Sequence, residues 1–363
     1  MTMVRLGDIC ELRYGKALTS TNRVQGNVPV YSSAGITGWH SAPLVGSRGI
    51  IIGRKGTVGK VYRSDGPFYC IDTAYYILPN DSIYDFDYLY YALQTLGLES
   101  LNEDSAVPGL NRDTAYSQQL YLPSLNTQKQ VATILVALDK KIANNKQVND
   151  NLEQQASALI EDYCASTEST VELGQILAFE NGFAFQSSTY LPAGSFRIIT
   201  IKNVQDGRID SQGAAFIEQI PDRMKPGCVL SIGDVLLSLT GNVGRVGIVC
   251  EEKLLLNQRV AKFISKDPNI LPWLYYYLRL PSSKVTLESI AKGTAQQNLS
   301  PVETLKLQVP FESSTALDLS KTLQPMFNKE IAGSMESIRL AAIRDALLPK
   351  LMSGELDVSD VEL

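Results

Sequence analysis

Residues Gly53-Arg-Lys-Gly-Thr-Val-Gly-Lys-Val61 and Gly241-Asn-Val-Gly-Arg-Val-Gly-Ile-Val249 write one basic, glycine-spaced phrase twice in a chain of 363 residues. The agreement spreads outward from the glycines. Gly56-Thr-Val-Gly-Lys-Val61 and Gly241-Asn-Val-Gly-Arg-Val246 stand 185 residues apart, and at that offset Tyr88-Leu-Tyr-Tyr-Ala-Leu93 meets Trp273-Leu-Tyr-Tyr-Tyr-Leu278. Arg5-Leu-Gly-Asp-Ile9 is echoed by Glu172-Leu-Gly-Gln-Ile176 at an offset of 167, which puts about eighteen extra residues early in the second copy. Leu120-Tyr-Leu-Pro123 aligns with Leu307-Gln-Val-Pro310, so a proline closes each copy. One offset held across separate matches identifies a duplication of whole domains, because solenoid repeats run only about 20 to 50 residues.

Each copy reads as a compact mixed domain. Short β-rich runs at 49–53, 75–78, 196–201, 235–239 and 260–264 are separated by Gly, Pro, Asn and Asp turns. The aromatic, leucine-rich segments 88–93 and 273–278 read as core helices, since such density faces inward more often than it offers a stacking site for bases.

After each domain the texture changes. From Leu125 to about Thr167 there is neither glycine nor proline. Val131, Leu138, Asn145, Leu152 and Leu159 fall seven apart, interleaved by Leu135, Ile142, Asn149 and Ala156, the a/d spacing of a coiled-coil seam. A helix of about 40 residues is roughly 60 Å long and cannot be buried in one small domain. A second helix is predicted over Ser314 to Met352, with an apolar stripe of Leu323, Phe327, Ile331, Met335, Ile338 and Ala342. Pro325 and Gly333 are expected to weaken or kink it. Two stripes in one chain most simply bury each other; a zipper between two copies is the alternative. Asn145 and Asn149 inside the seam would disfavour slipped registers.

With 44% hydrophobic and 20% charged residues, the chain belongs with soluble globular proteins. No apolar run spans a membrane and the start lacks a signal-peptide core, so a cytoplasmic location is expected. The five cysteines form no CxxC pair, and His40 is the only histidine, which disfavours a disulfide framework, a zinc site and histidine-based catalysis. The net charge of −5 argues against simple charge coating of nucleic acid. Its distribution says more: residues 1–63 carry nine basic residues against Asp8 and Glu11, whereas 64–123 carry only Arg112 against nine acids. Such segregation suits a positive face that holds a polyanion in one orientation.

Catalytic motifs fail on inspection. GRKGTVGK has five residues between Gly53 and Gly59 and is followed by Val61, whereas a phosphate loop needs four and then Ser or Thr. No G-x-G-x-x-G opens a βαβ unit, and no NPPY-like tetrapeptide of amino-methyltransferases is found. Pro221-Asp222 with Glu251-Glu-Lys253 satisfies a loose nuclease pattern, but the first copy has Gly66-Pro-Phe68 at the equivalent place. The glycine phrases themselves allow close backbone approach, and Arg54, Lys55, Lys60 and Arg245 can reach phosphates or guanine edges.

The order of domain, long helix, related domain and long helix, ending in Lys350-Leu-Met-Ser-Gly-Glu-Leu356, resembles the specificity subunit of a Type I restriction–modification system. The resemblance rests also on Gly56-Thr-Val-Gly59, Gly233-Asp-Val-Leu236 with Thr240-Gly241, Leu256-Asn-Gln-Arg-Val260 and Pro123-Ser-Leu-Asn-Thr-Gln-Lys-Gln130. It implies an α+β fold in which two duplicated mixed α/β target-recognition domains, 1–123 and 168–312, are separated by helical spacers, 124–167 and 313–363, packed as an antiparallel coiled coil. It also implies a subunit with no catalysis or cofactor of its own, reading a bipartite, asymmetric site in double-stranded DNA. Modification subunits, which methylate adenine, and an ATP-driven restriction subunit would be its partners. Two unlike domains on a rigid spacer should read half-sites about 34 Å apart if both address one side of the duplex.

Base contacts in this family lie in variable loops. The candidates are Tyr31, Ser32, Ser33, Arg48, Arg54, Lys55, Thr57 and Lys60 in the first domain, and Lys202, Asn203, Thr240, Asn242, Arg245, Gln258, Arg259, Gln296 and Asn298 in the second. Asn257 and Arg259 sit in a phrase shared across different targets and read equally as framework. Rival readings are an autonomous DNA-modifying enzyme and a coiled-coil scaffold without sequence preference.

Overall fold

The computed structural model describes residues 3–101, 109–293 and 297–358. The chain forms two compact units, one of Met1–Lys141 with Leu340–Leu363, the other of Ile142–Arg339. In the first, a four-stranded sheet has the order Arg13–Tyr14, Ala74–Ile77, Gly49–Gly53, Val61–Ser64, antiparallel throughout. A three-stranded sheet joins Gly35–His40, Val28–Ser32 and Tyr69–Cys70. Strand alternation explains the layering. Ile50 and Ile52 face the larger core, which holds helix α1 (Phe86–Thr95), and Ile51 faces a second cluster with Tyr31 and Phe68. Asp85 caps α1 by accepting from the Tyr88 amide at 2.9 Å.

The second unit repeats this plan. Leu237 pairs with Val246 as Ile52 pairs with Val61, the offset of 185 read from sequence. The alternation is kept as well: Val235 and Leu237 face one core and Leu236 another. The extra residues of this copy include the strands Val204–Gln205 and Gly207–Ile209, which extend the main sheet beyond Val246–Ile248 to six strands. One alignment shifts. Arg5 pairs with Gln119 and Glu172 with Gln308, an offset of 189 at the end of the copy, so Pro310 is equivalent to Tyr121 and not to Pro123. Backbone pairing, not the proline, closes each domain.

Two long helices follow the domains: α2 (Leu125–Ser166) and, after the second domain's α3 (Leu271–Arg279), α4 (Ser313–Ser353). They pack antiparallel and each contributes to both units. In the second unit, the Asn145 amide donates to Glu336 Oε2 at 2.7 Å and to Gly333 O and Ser337 Oγ at 3.3 Å. Asn149 donates to Glu330 O and Ser334 Oγ at 3.0 Å. In the first unit, Arg344 Nη1 of α4 donates to Asp139 Oδ1 of α2 at 2.7 Å.

The expected stripes are only partly the packed faces. Val131 and Leu135 are buried, as are Leu323 and Phe327, and Leu138, Ile142, Leu152 and Ile331 are half-buried. Met335 and Ile338 are each 37% exposed and Leu159 is 39% exposed, so these three lie off the contact. A straight helix drifts about 20° per heptad from a seven-residue repeat. Toward the end of α2, Ala156 of the expected seam stays buried with Tyr163 seven residues on, while Ile160 is buried in place of Leu159. On α4 it runs Leu323, Phe327, Glu330, Gly333, so the middle of the pairing is polar.

Helix α4 passes through Pro325 and Gly333 without a break. A proline inside a helix costs about 3 kcal/mol, which burial of the neighbouring Leu323 and Phe327, about 1.5–3 kcal/mol each, offsets. Gly333 admits Asn149: a Cβ there would stand 2.9 Å from Asn149 Oδ1.

Candidate nucleic-acid interface

Both glycine phrases fold into one strand–turn–strand element. The Gly53 amide donates to Lys60 O at 2.8 Å and the Gly59 amide to Gly53 O at 2.8 Å; the second copy repeats this with Ser238 to Arg245 O at 2.9 Å and Gly244 to Ser238 O at 3.1 Å. Gly56, Gly59, Gly241 and Gly244 all have φ between 73° and 82°. L side chains avoid that region, so the repeated glycines are a backbone requirement that carries different side chains in each copy.

In the first domain, Lys55 and Lys60 are exposed and Thr57 half-buried on this turn, and neither lysine forms an ion pair among the described residues. Arg54 is half-buried; its Nη1 donates to Asp72 O at 3.1 Å and its guanidinium lies 4.9 Å from the Tyr14 ring centre. Arg48 is exposed, 4.4 Å from the Phe86 ring centre and 3.7 Å from Asp81. Three other candidates are engaged internally. Tyr31 is buried and donates to Arg63 O at 3.1 Å, Ser33 is buried with its amide on Thr73 Oγ1 at 3.3 Å, and Ser32 Oγ closes a hairpin by donating to Gly35 O at 3.3 Å.

In the second domain, Thr240 and Asn298 are brought together, the hydroxyl donating to Asn298 Oδ1 at 2.9 Å. The Leu239 amide bonds Arg259 O and the Gly241 amide bonds Gln297 O, so exposed Asn242, Gln258, Arg259 and Asn298 gather around the turn. Arg245 is half-buried and held by Gln205 Oε1 at 2.8 Å. Lys202 is exposed, but the adjacent Asn203 is buried, accepting from the Thr200 amide and hydroxyl at 2.9 Å and donating to Asp210 O at 2.8 Å. These bonds hold the turn that Asn203 itself belongs to. Asn257 is likewise buried. Gln296 lies outside the described residues.

Sequence reasoning missed a pair of tyrosine anchors. In the first unit, the Tyr91 hydroxyl donates to Asp139 Oδ2 of α2 at 2.5 Å. In the second, Tyr276, which stands at Tyr91's place in the duplication, donates to Glu330 Oε1 of α4 at 2.8 Å, with Tyr275 at 3.5 Å from Oε2. Arg279 binds the Tyr275 hydroxyl and Glu153 of α2. Burial pushes the Glu330 carboxyl up to about 7, opposed by the Tyr276 hydrogen bond and the Arg279 charge. Each domain helix is thus bonded to a long helix through a tyrosine that an apolar run disguises as plain core.

Burial also pushes the thiols of Cys10 and Cys70 up to about 12, and all five cysteines are free. Among the described residues, no group of three or more His, Cys, Asp or Glu is arranged to hold a metal, and no helix is long and apolar enough to cross a membrane.

Two related, non-identical domains, each presenting a cation-bearing turn and each bonded to a long helix through a tyrosine, define a two-part recognition protein. The family described as Type I restriction modification DNA specificity domain matches residues 1–154 and 166–332. The MjaIX Type I restriction enzyme specificity subunit of Methanocaldococcus jannaschii is 25% identical over 343 residues, covering 86% of this chain and 78% of that protein. The HindI specificity subunit of Haemophilus influenzae is 31% identical over 124 residues, covering 34% of this chain and 27% of its own. The crystal structure of the Type I system S subunit from M. genitalium shares the fold with a TM-score of 0.63 at 18% identity, over 97% of this chain and 96% of that one. The chain belongs to the specificity subunits of Type I restriction–modification systems, and is a DNA-binding component of such a system.

Proposed function

We propose that this subunit reads a bipartite, asymmetric DNA site, each domain addressing one half, and acts in the cytoplasm with modification subunits and an ATP-dependent restriction subunit. The observation that carries the reading is the duplicated turn. Its backbone is the same in both copies, while the side chains it carries differ: half-buried Thr57 and exposed Lys60 stand where the second copy has exposed Asn242 and half-buried Arg245. Identical frames with unlike contact residues suit two unlike half-sites, because base edges are told apart by the donors and acceptors presented to them. The continuous helices α2 and α4 suit a spacer of fixed length, against which modification subunits dock.

The test is to lengthen the spacer. Inserting seven residues, two helical turns, into α2 with a matching seven in α4 adds roughly 10 Å at 1.5 Å per residue. With modification subunits present, the methylated motif should keep both half-sites and gain up to about three base pairs of gap. An unchanged gap in a folded, active variant would contradict the spacer role.

A further inference from the structure

In the first unit a cleft of about 350 Å³ is lined by Tyr14, Arg54, Lys55, Tyr75, Arg112 and the exposed carboxylate of Asp113. Arg112 lies 5.3 Å from the Tyr14 ring centre, and Arg54 lies 4.9 Å from the same ring and 5.7 Å from Tyr75. Tyr14 itself is 47% exposed. Two guanidiniums therefore share one aromatic support. Among the described residues neither has an ion-pair partner, and the buried Arg112 Nε makes no hydrogen bond. Positive charges gathered around one ring, with donors unspent and Lys55 lining the same cleft, are relieved by an oxyanion, and arginine forks match phosphate oxygens.

The second copy differs at the positions equivalent to these residues. The strand registers place Asn181 at Tyr14's position and Ala261 at Tyr75's. Leu239 and Thr240 stand for Arg54 and Lys55. The bridges Lys55–Gly109 and Thr240–Asn298 match, which makes Pro301, first residue of its short helix, the counterpart of Arg112. Both guanidiniums, the lysine and both rings are absent at the equivalent positions.

We infer that the cleft around Tyr14, Arg54 and Arg112 is a phosphodiester anchor present in the first domain only, so that the two half-sites are held by physically unlike contacts. The inference rests on the DNA-recognition reading above and adds Tyr14 and Arg112 to the interface. The anchor grips the DNA backbone and carries no base preference of its own.

The experiment uses the full chain assembled with modification subunits, on DNA containing the methylated motif, with binding measured at several salt concentrations. Arg54→Ala with Arg112→Ala should reduce the slope of log affinity against log salt by about 0.9, for the one phosphate the cleft holds. The methylated motif should stay the same. Arg54→Lys with Arg112→Lys, which keeps both charges, should restore most of the slope. Competition by inorganic phosphate at constant ionic strength should be negligible; strong competition would mark a site for free phosphate and overturn the backbone assignment. A wild-type slope in the double alanine variant would also overturn it. Absence of site-specific binding by the unmutated complex would sink the recognition reading, and the anchor with it.

Discussion

Replacing Glu330 by glutamine should stabilise the second unit at neutral pH and leave it nearly unchanged in acid. Glu330 is 5% exposed and faces Tyr275, Tyr276 and Arg279 of α3, Glu153 of α2 and the buried Cys250. Its carboxyl is raised from 4.5 to about 7, burial being the largest cause. At about 1.36 kcal/mol per unit, the ionised form costs the fold ~3 kcal/mol. Below about pH 4.5 the carboxyl is protonated in both folded and unfolded chains and contributes nothing. Between about pH 4.5 and 7 the folded chain holds more protons, so stability falls as pH rises, and above about pH 7 the full cost is present. Glutamine mimics the protonated acid and still accepts from Tyr276, so it removes the cost without emptying the site. Urea unfolding from about pH 5 to pH 8 in a Trp39→Phe background reports on this unit, because Trp273 is then the sole tryptophan. The wild-type chain should lose roughly 2–3 kcal/mol across that range relative to the variant. Parallel pH profiles would refute the reasoning, since they would mean that Glu330 titrates alike in both states.

Tyr91→Phe should destabilise the first unit by about 1.5 kcal/mol, the low end for a hydrogen bond to a charged group, because Asp139 keeps Arg344 as a partner and is partly exposed. Calorimetry of the variant checks this, and an unchanged transition would remove the anchor. Gly333→Ala should cost about 1–2 kcal/mol net, its Cβ crowding Asn149 by more than the gain in helix propensity repays. The double variant with Asn149→Ala should recover most of that loss, and simple additivity would show that the two helices do not meet there.

The duplication was legible because glycines at positive φ cannot be exchanged, so the turns kept their spelling in both copies. The long helices were legible from length and from missing breakers. Their packed faces were less so: heptad spacing places Asn145 and Asn149 in the seam, but Glu330, Gly333 and Ser334 opposite them read as surface, and apolar Met335 and Ile338 read as seam. Contact residues divide for a similar reason: near a glycine turn, Ser33 or Asn203 serves the backbone as readily as a ligand, and only the hydrogen bonds tell which. Arg112 had a signal, being the lone cation of an acidic stretch, but its meeting with Tyr14 and Arg54 is a product of topology. The tyrosine hydroxyls had none, because YLYYAL and WLYYYL look the same whether or not a carboxylate waits opposite.

The central claim is that this chain directs modification to one two-part site. Mapping N6-methyladenine across the host genome, with the gene intact and deleted, tests it most directly. The account predicts that a single motif of two unlike halves and a fixed gap loses its methylation on deletion, and regains it when the gene is restored. A methylation map unchanged by deletion, in cells that express the modification subunits, would contradict it.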